Sequence, residues 1–367
     1  MHRILQGVFG FSLLLFLGSC SAGSGTGDTE TSSSDSLQVE KISPLLVTDT
    51  VRFDTDDPAI WINRENPQAS LILGTDKDMD GAIYVFGLDG KKVDSLTRRD
   101  IKRPNNIDIG YGLPLKSGKV DFAVTGERFT SKLRFFSLPD MKEISAPGLE
   151  VYAGETGAEY KDLMGIALYQ NPESGKNYVI AGRKKGPSDG SYLWQYEIQT
   201  SGLEISLELV RKFGAFSGLK EIEAIAVDNE LGYIYYSDEG AGVRKYYADP
   251  ELGNEELAFF ATEGFTDDHE GISIYKASPT EGYILVSDQG ANLFHVFPRE
   301  GSKDNPHQHD LITKLPLSTI SSDGSEVTNL PLGPDFPKGL FVAMSDDKTF
   351  QIYRWEDLEN YIKTKKN

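Results

Sequence analysis

Residues 224–248 read AIAVDNELGYIYYSDEGAGVRKYYA, and this stretch decides the fold. Ala224–Val227 is a short apolar run, closed by Asp228-Asn229-Glu230 and Gly232. A second run, IYYSDEGA over 234–241, ends in acids and glycine, and a third, GVRKYYA over 242–248, alternates aromatics with polar residues. β-branched and aromatic residues punctuated by Gly, Asp and Asn favour strands, because such side chains pack on a pleated surface and the punctuating residues turn. The stretch is therefore read as three antiparallel strands in a row.

Working outward, the same triplet recurs. The first strand appears as Ala59–Ile62, Ile107–Ile109, Gly165–Leu168, Ala224–Val227, Gly271–Ile274 and Gly339-Leu340. The second appears as LILGTDKD (71–78), DFAVTGER (121–128), YVIAGRKK (178–185), IYYSDEGA (234–241) and YILVSDQG (283–290), and in the sixth copy both run together as LFVAMSDD (340–347). The third appears as AIYVFGL (82–88), KLRFFSL (132–138), YLWQYEI (192–198), GVRKYYA (242–248), NLFHVFP (292–298) and TFQIYRW (349–355). Six triplets spaced by about 45–70 residues predict an all-β, six-bladed β-propeller, since radial repetition of small sheets leaves only short edges. A β-sandwich or two stacked β domains would not repeat one triplet six times.

The chain has 367 residues, one cysteine, five histidines and a net charge of -19. A single Cys20 excludes intrachain disulfides, zinc ribbons and thiolate clusters. The acidic balance predicts no nucleic-acid partner, because phosphate backbones would be repelled. At the N-terminus Arg3 precedes an apolar run from Val8 to Leu17 that ends in Leu17-Gly18-Ser19-Cys20. That pattern predicts a lipoprotein signal peptide over 1–19 and a lipid on Cys20. A flexible Ser/Gly/Thr tether follows over 20–38, then the propeller over 39–360 and a tail over 361–367. The protein is expected in the cell envelope, touching membrane only through its lipid and facing the periplasm or the cell surface, as a monomer.

Antiparallel strands place first-strand starts and second-strand ends on one face. First-strand starts offer Asp56-Asp57, Asn105-Asn106, Glu221, Glu223, Asp268 and Glu270. Second-strand ends offer Asp76-Lys77, Glu127-Arg128, Arg183-Lys184-Lys185, Asp238-Glu239, Asp288 and Asp346-Asp347. Carboxylates without thiolates or a histidine set favour hard cations, Ca²⁺ or Mg²⁺. Interspersed Lys77, Arg128, Arg183 and Lys184 supply donors for an anion, so phosphate-ester hydrolysis is the chemistry that suits the face. Two other patterns are weak. Gly186-Pro187-Ser188-Asp189-Gly190 fits a nucleophile elbow only formally, because it lies in a strand-to-strand loop. His307-Gln308-His309 is read as an exposed loop.

Several segments together resemble the β-propeller phytases, the alkaline calcium-dependent phytases of bacteria. They are Asp56-Asp57-Pro58-Ala59-Ile60-Trp61, Asn105-Asn106-Ile107-Asp108-Ile109, Lys119-Val120-Asp121, Asp268-x-Glu270-Gly271, Ser322-Asp323-Gly324 and the run from Leu332 to Ala343. The resemblance covers about residues 45–355 in order and implies a six-bladed propeller. It implies a 3-phytase that removes phosphate from myo-inositol hexakisphosphate or its calcium complex. Attack would come directly from a metal-bridged water, without a phosphoenzyme, with several Ca²⁺ ions.

By position, the resemblance implies metal binding at Asp56, Asp57, Glu223, Asp238, Glu239, Asp268, Glu270 and Asp323. Lys77, Arg128 and Arg183 would hold phosphates, with Lys77, Arg128, Glu223, Asp238 and Glu270 acting in catalysis; Lys184, beside Arg183, is a substrate-binding candidate from its charge and place alone. Four departures stand out: Phe53-Asp54-Thr55 ahead of the paired Asp, Gly110 in place of an Arg, Met164 where the family has a phosphate-binding Tyr, and Lys184 where it has a Glu. A catalytically silent envelope propeller that binds a phosphorylated ligand or a protein partner, and a lactonase-like hydrolase, are the alternatives.

Overall fold

A computed structural model describes residues 40–366. Cys20, the signal peptide and the tether lie outside the described residues.

The strands assemble into six four-stranded antiparallel sheets. Blade 1 runs Thr55–Trp61, Leu71–Asp76, Gly81–Gly87 and Arg98–Ile101, and blades 2 to 5 repeat that order. Their first strands are Pro104–Leu115, Leu163–Gln170, Ile222–Asp228 and His269–Lys276. Each first strand packs against the next, and that of blade 6 returns to blade 1, closing the ring. Alternation explains the packing: Ile72, Val85, Val124, Phe135, Ile180, Ile234, Ile284 and Val296 are completely buried between blades. The six hydrophobic clusters each draw side chains from neighbouring sheets, so the core is a ring of inter-blade seams rather than one centre.

Three details differ from the reading of the sequence. Each blade carries a fourth, outer strand, as brief as Leu149–Glu150 in blade 2 and Ala258–Phe260 in blade 4. Such strands are too short to carry a period. In blade 6 the first strand is Ser325–Val327, not Gly339-Leu340. Leu340–Ser345 and Thr349–Arg354 follow, and the N-proximal Leu46–Val47 pairs antiparallel with Thr349–Arg354 to complete the sheet. Residues 361–366 are not a tail. They finish the helix α1 (Trp355–Lys366), where Ile362 is completely buried and Trp355 stacks on Tyr275 at 3.6 Å.

The His307-Gln308-His309 segment is also less exposed than expected. His309 is buried, donates from Nδ1 to the Pro298 carbonyl and meets the Lys245 ammonium through Nε2 at 3.1 Å. Both ring nitrogens are thus engaged by protein. Ser188 is exposed in a loop and sits on no strand-to-helix turn.

Candidate active site at the channel mouth

The first strands of blades 1 to 5 share one irregularity. Pairing with the second strand begins at Thr55↔Asp76, Pro104↔Glu127, Leu163↔Arg183, Ile222↔Asp238 and His269↔Asp288, then skips two residues on the first strand before resuming. The skipped pairs are Asp56-Asp57, Asn105-Asn106, Met164-Gly165, Glu223-Ala224 and Glu270-Gly271. A bulge of this kind bends the strand and re-aims side chains. Here it brings Asp56, Glu223 and Glu270 to one mouth of the central channel.

Close approach of neighbouring blades requires small residues beside them. A Cβ on Gly271 would lie 2.5 Å from the Asp323 carbonyl oxygen, and one on Gly165 would lie 2.9 Å from that of Glu223. Glycine at these positions lets the first strands converge and seats Asp323 beside Glu270.

The second-strand ends divide into two roles one residue apart. The last paired residue braces its own blade. Asp76 accepts the Phe53 and Asp54 N–H groups, Glu127 accepts from Lys102 N–H, and Asp288 accepts from Thr266 N–H. The following residue faces the mouth: Lys77, Arg128, Lys184, Glu239 and Gln289. In blades 1 to 4 its N–H donates to the residue preceding the first strand, at Asp54, Arg103, Asp162 and Glu221.

This division moves two residues out of the roles expected for them. Asp238 is completely buried, accepting from the Ser217 amide and hydroxyl and from Arg244 Nε at 2.8 Å. It braces blade 4 while Glu239 turns to the mouth. Arg183 is likewise completely buried. Its guanidinium donates to Glu155 at 2.5 Å and to the carbonyls of Tyr160, Ser191 and Tyr192. Four of the five N–H donors of that fork are spent on the protein, and the completely buried guanidinium presents no face to a phosphate. Asp57 also leaves the cluster: it turns into the channel and accepts the Ile107 N–H, stitching blade 1 to blade 2.

At the mouth, Lys77 Nζ lies 2.7 Å from Asp56 and 2.9 Å from Asp323, whose other oxygen accepts from Gln289. Burial alone would lower the Lys77 pKa, but Asp56, Asp323 and Glu223 together drive it upward, so the ammonium stays charged. Across the channel, one oxygen from each of Glu221, Glu223 and Glu239 lies within 4.8 Å of the others, and the same holds for Glu239, Asp268 and Glu270. Glu239 belongs to both groups.

Burial and mutual repulsion raise the proton affinity of these acids. Asp56 is pushed up to about 7 by burial and by Asp323, Glu223 to about 8 by burial and by Asp56, and Glu239 to about 9 by burial and by Glu223. Glu270 is raised well above its ordinary range by burial and by Glu223 and Glu239. Its Oε2, buried, has no hydrogen-bond partner among the described residues. Oxygen-only groups with orphaned, repelling atoms fit a hard divalent cation, which relieves the repulsion that water-poor surroundings amplify.

The basic side chains border these carboxylates. Lys184 Nζ pairs with Glu221 at 2.6 Å, while Arg128 Nη2 stands 3.9 Å from the same oxygen. Lys220, on the rim, pairs with Asp267 and Asp268. Met164, at the bulge of blade 3, is buried and brings no ligand atom. The sequence reading placed Glu221 on this face without naming it a ligand, and gave no role to Gln289 or Arg103. The available signal was positional, since each occupies the same offset as a recognised residue in another copy.

A family model described as Phytase matches residues 11–364. The 3-phytase of Bacillus subtilis (strain 168) is 27% identical over 326 residues, covering 84% of this chain and 81% of that protein. Among solved structures, the β-propeller domain of Myceliophteria_thermophila Cps50 (Swd1) is similar over 80% of this chain, at 11% identity and a TM-score of 0.46. With the family model spanning nearly all of its length, the chain belongs to the β-propeller phytases.

Proposed function

We propose that the chain is a calcium-dependent phytase of the 3-phytase type, cleaving phosphate monoesters of myo-inositol hexakisphosphate at the channel mouth. One observation carries the reading: two carboxylate groups that share Glu239 face the cations Lys77, Arg128 and Lys184 around a single opening. Calcium, when bound by Glu223, Glu239, Asp268 and Glu270, supplies positive charge that offsets their repulsion and stabilises charge developing on the phosphoryl group.

The chain's own groups do the rest. Arg128 is 6% exposed and keeps Nε unpartnered, so its planar fork is desolvated and available to two phosphoryl oxygens. Lys77 holds Asp56 and Asp323 in place and presents the remaining positive charge. A carboxylate of raised proton affinity, Glu223 or Glu270, can take the proton of the attacking water as its oxygen bonds to phosphorus. As the ester P–O bond breaks, its electron pair leaves with the inositol oxygen, and that alkoxide takes up the proton the carboxylate had accepted, giving the inositol hydroxyl and inorganic phosphate. Lys184 and Arg128 both border the same Glu221 oxygen, and two neighbouring cations suit a substrate carrying more than one phosphate.

The test is phosphate release from phytate with millimolar calcium and again after EGTA. Release that is abolished by EGTA and restored by calcium is expected; release indifferent to chelation refutes the assignment. The lipid on Cys20 and residence in the cell envelope are part of the same proposal and rest on the sequence alone. Palmitate labelling of the wild type and not of Cys20→Ala is the expected result.

A further inference from the structure

The residue preceding each first strand occupies an equivalent place in five blades: Asp54, Arg103, Asp162, Glu221 and Asp268. Four are acids and one is an arginine. In blade 4 this position reaches back towards the mouth of the preceding blades, where Glu221 meets Lys184 and Arg128. Arg103 holds that place in blade 2, and Asp54, its counterpart in blade 1, feels its charge.

Arg103 is unusual in three further ways. Its φ is 51°, in the left-handed region, whereas its four counterparts have ordinary backbone. A non-glycine residue there costs about 1 kcal/mol or more, and such outliers gather where function holds them. Among the described residues it makes no ion pair, and its buried Nε has no hydrogen-bond partner. Its guanidinium lies 5.8 Å from the centre of the Phe129 ring, and that of Arg128 lies 5.7 Å from the same ring. Phe129 is 53% exposed. Two under-paired guanidinium groups therefore flank one exposed ring, and the Arg128 amide is tied to the Arg103 carbonyl at 3.3 Å.

We propose that Arg103 is a phosphate-binding residue, placing a second phosphate of the substrate on the blade 1 and 2 side of the mouth while Arg128 holds the first. The inference rests on the phytase reading and adds a contact to it. Phe129 spaces the two forks and keeps water from their faces, so both meet anions with weakened solvent screening. The chemical class selected is a small ring bearing neighbouring phosphate monoesters.

The test uses the calcium-loaded full chain, with phytate binding followed by titration calorimetry and folding by melting temperature. Arg103→Gln is expected to weaken phytate binding about tenfold, the scale of one lost charged hydrogen bond. Arg103→Lys should recover part of it. Arg103→Gly suits the left-handed backbone, so it should bind as weakly as Arg103→Gln while melting no lower than wild type. Unchanged affinity in Arg103→Gln and Arg103→Gly overturns the inference. A lower melting temperature of Arg103→Gly with affinity intact also overturns it, and assigns the residue to the fold. If the wild type binds phytate without hydrolysing it, the phytase reading fails, yet weaker binding by these variants still supports Arg103. If the wild type does not bind phytate, both fall.

Discussion

Removing calcium at different pH values tests the carboxylate cluster most directly. Asp56, Glu223 and Glu239 hold their protons up to about 7, 8 and 9 in the folded chain, through burial and then through Asp323, Asp56 and Glu223 respectively. Unfolded, each would ionise near 4. Between about pH 4 and 9 the folded state therefore binds more protons than the unfolded state, so metal-free stability falls as pH rises. Each group can cost up to about 1.4 kcal/mol per pH unit, and because neighbours share the strain, the combined loss from pH 5 to 8 is on the order of 3–6 kcal/mol. For a domain of this size 1 kcal/mol moves the melting temperature by roughly 1.5 °C, so EGTA-treated protein should melt about 4–9 °C lower at pH 8 than at pH 5. Calcium at a hundred times its dissociation constant adds about 2.7 kcal/mol per site. Two occupied groups would raise the melting temperature at pH 8 by about 8 °C, and by much less at pH 5, where protons compete. Scanning calorimetry at both pH values, with calcium and with EGTA, reads these shifts. Glu239→Gln, which touches both groups, should raise the metal-free melting temperature at pH 8 and remove most of the calcium increment. A calcium increment equal at both pH values, or one untouched by Glu239→Gln, would refute the reasoning.

Glu223→Gln and Glu270→Gln should each lower phytate turnover by about two orders of magnitude, the scale of losing one electrostatic stabiliser, and near-normal rates in both would place the chemistry elsewhere. Arg128→Ala should depress kcat about a hundredfold with partial recovery in Arg128→Lys; a pure rise in KM would instead make it a uniform binding group. Arg183→Ala strands the Glu155 carboxylate and three carbonyls, so it should cost about 3–5 kcal/mol and lower the melting temperature by roughly 4–7 °C without changing KM for phytate. Unchanged melting with a raised KM would show that its guanidinium reaches substrate after all.

The three inner strands of five blades were legible because their apolar runs and aromatic alternation are long enough to carry a period. The outer strands were not, since Leu149–Glu150 or Ala258–Phe260 is too short for any pattern to stand above a loop. Blade 6 was misplaced for the same reason: Ser325–Val327 has three residues, and pairing across the ring rather than local preference makes it a strand. At the site, most charged positions were found in the sequence, but both members of the pairs Arg183-Lys184 and Asp238-Glu239 were given mouth roles, where only Lys184 and Glu239 face the mouth. A strand turns successive side chains to opposite faces, so an error of one residue exchanges brace and ligand.

The order of residues alone thus determined that the chain repeats a strand triplet, that its turns carry hard oxygen ligands and cations, and that these turns share one face. Those properties follow from local preference and from antiparallel connectivity, which need no distant partner. Only the closed ring decided which of the charged side chains meet. Glu239 joins Glu223 and Glu270 because the first strands of blades 4 and 5 pack side by side in the ring, and Asp323 reaches Lys77 because the last blade closes on the first. Whether an arginine is spent on its own blade, as Arg183 is, or left under-paired, as Arg103 and Arg128 are, depends on carbonyls and carboxylates delivered by other loops. Hydrogen-bond partners and repulsions of this kind act over a few ångströms in space, across separations that the linear sequence does not encode.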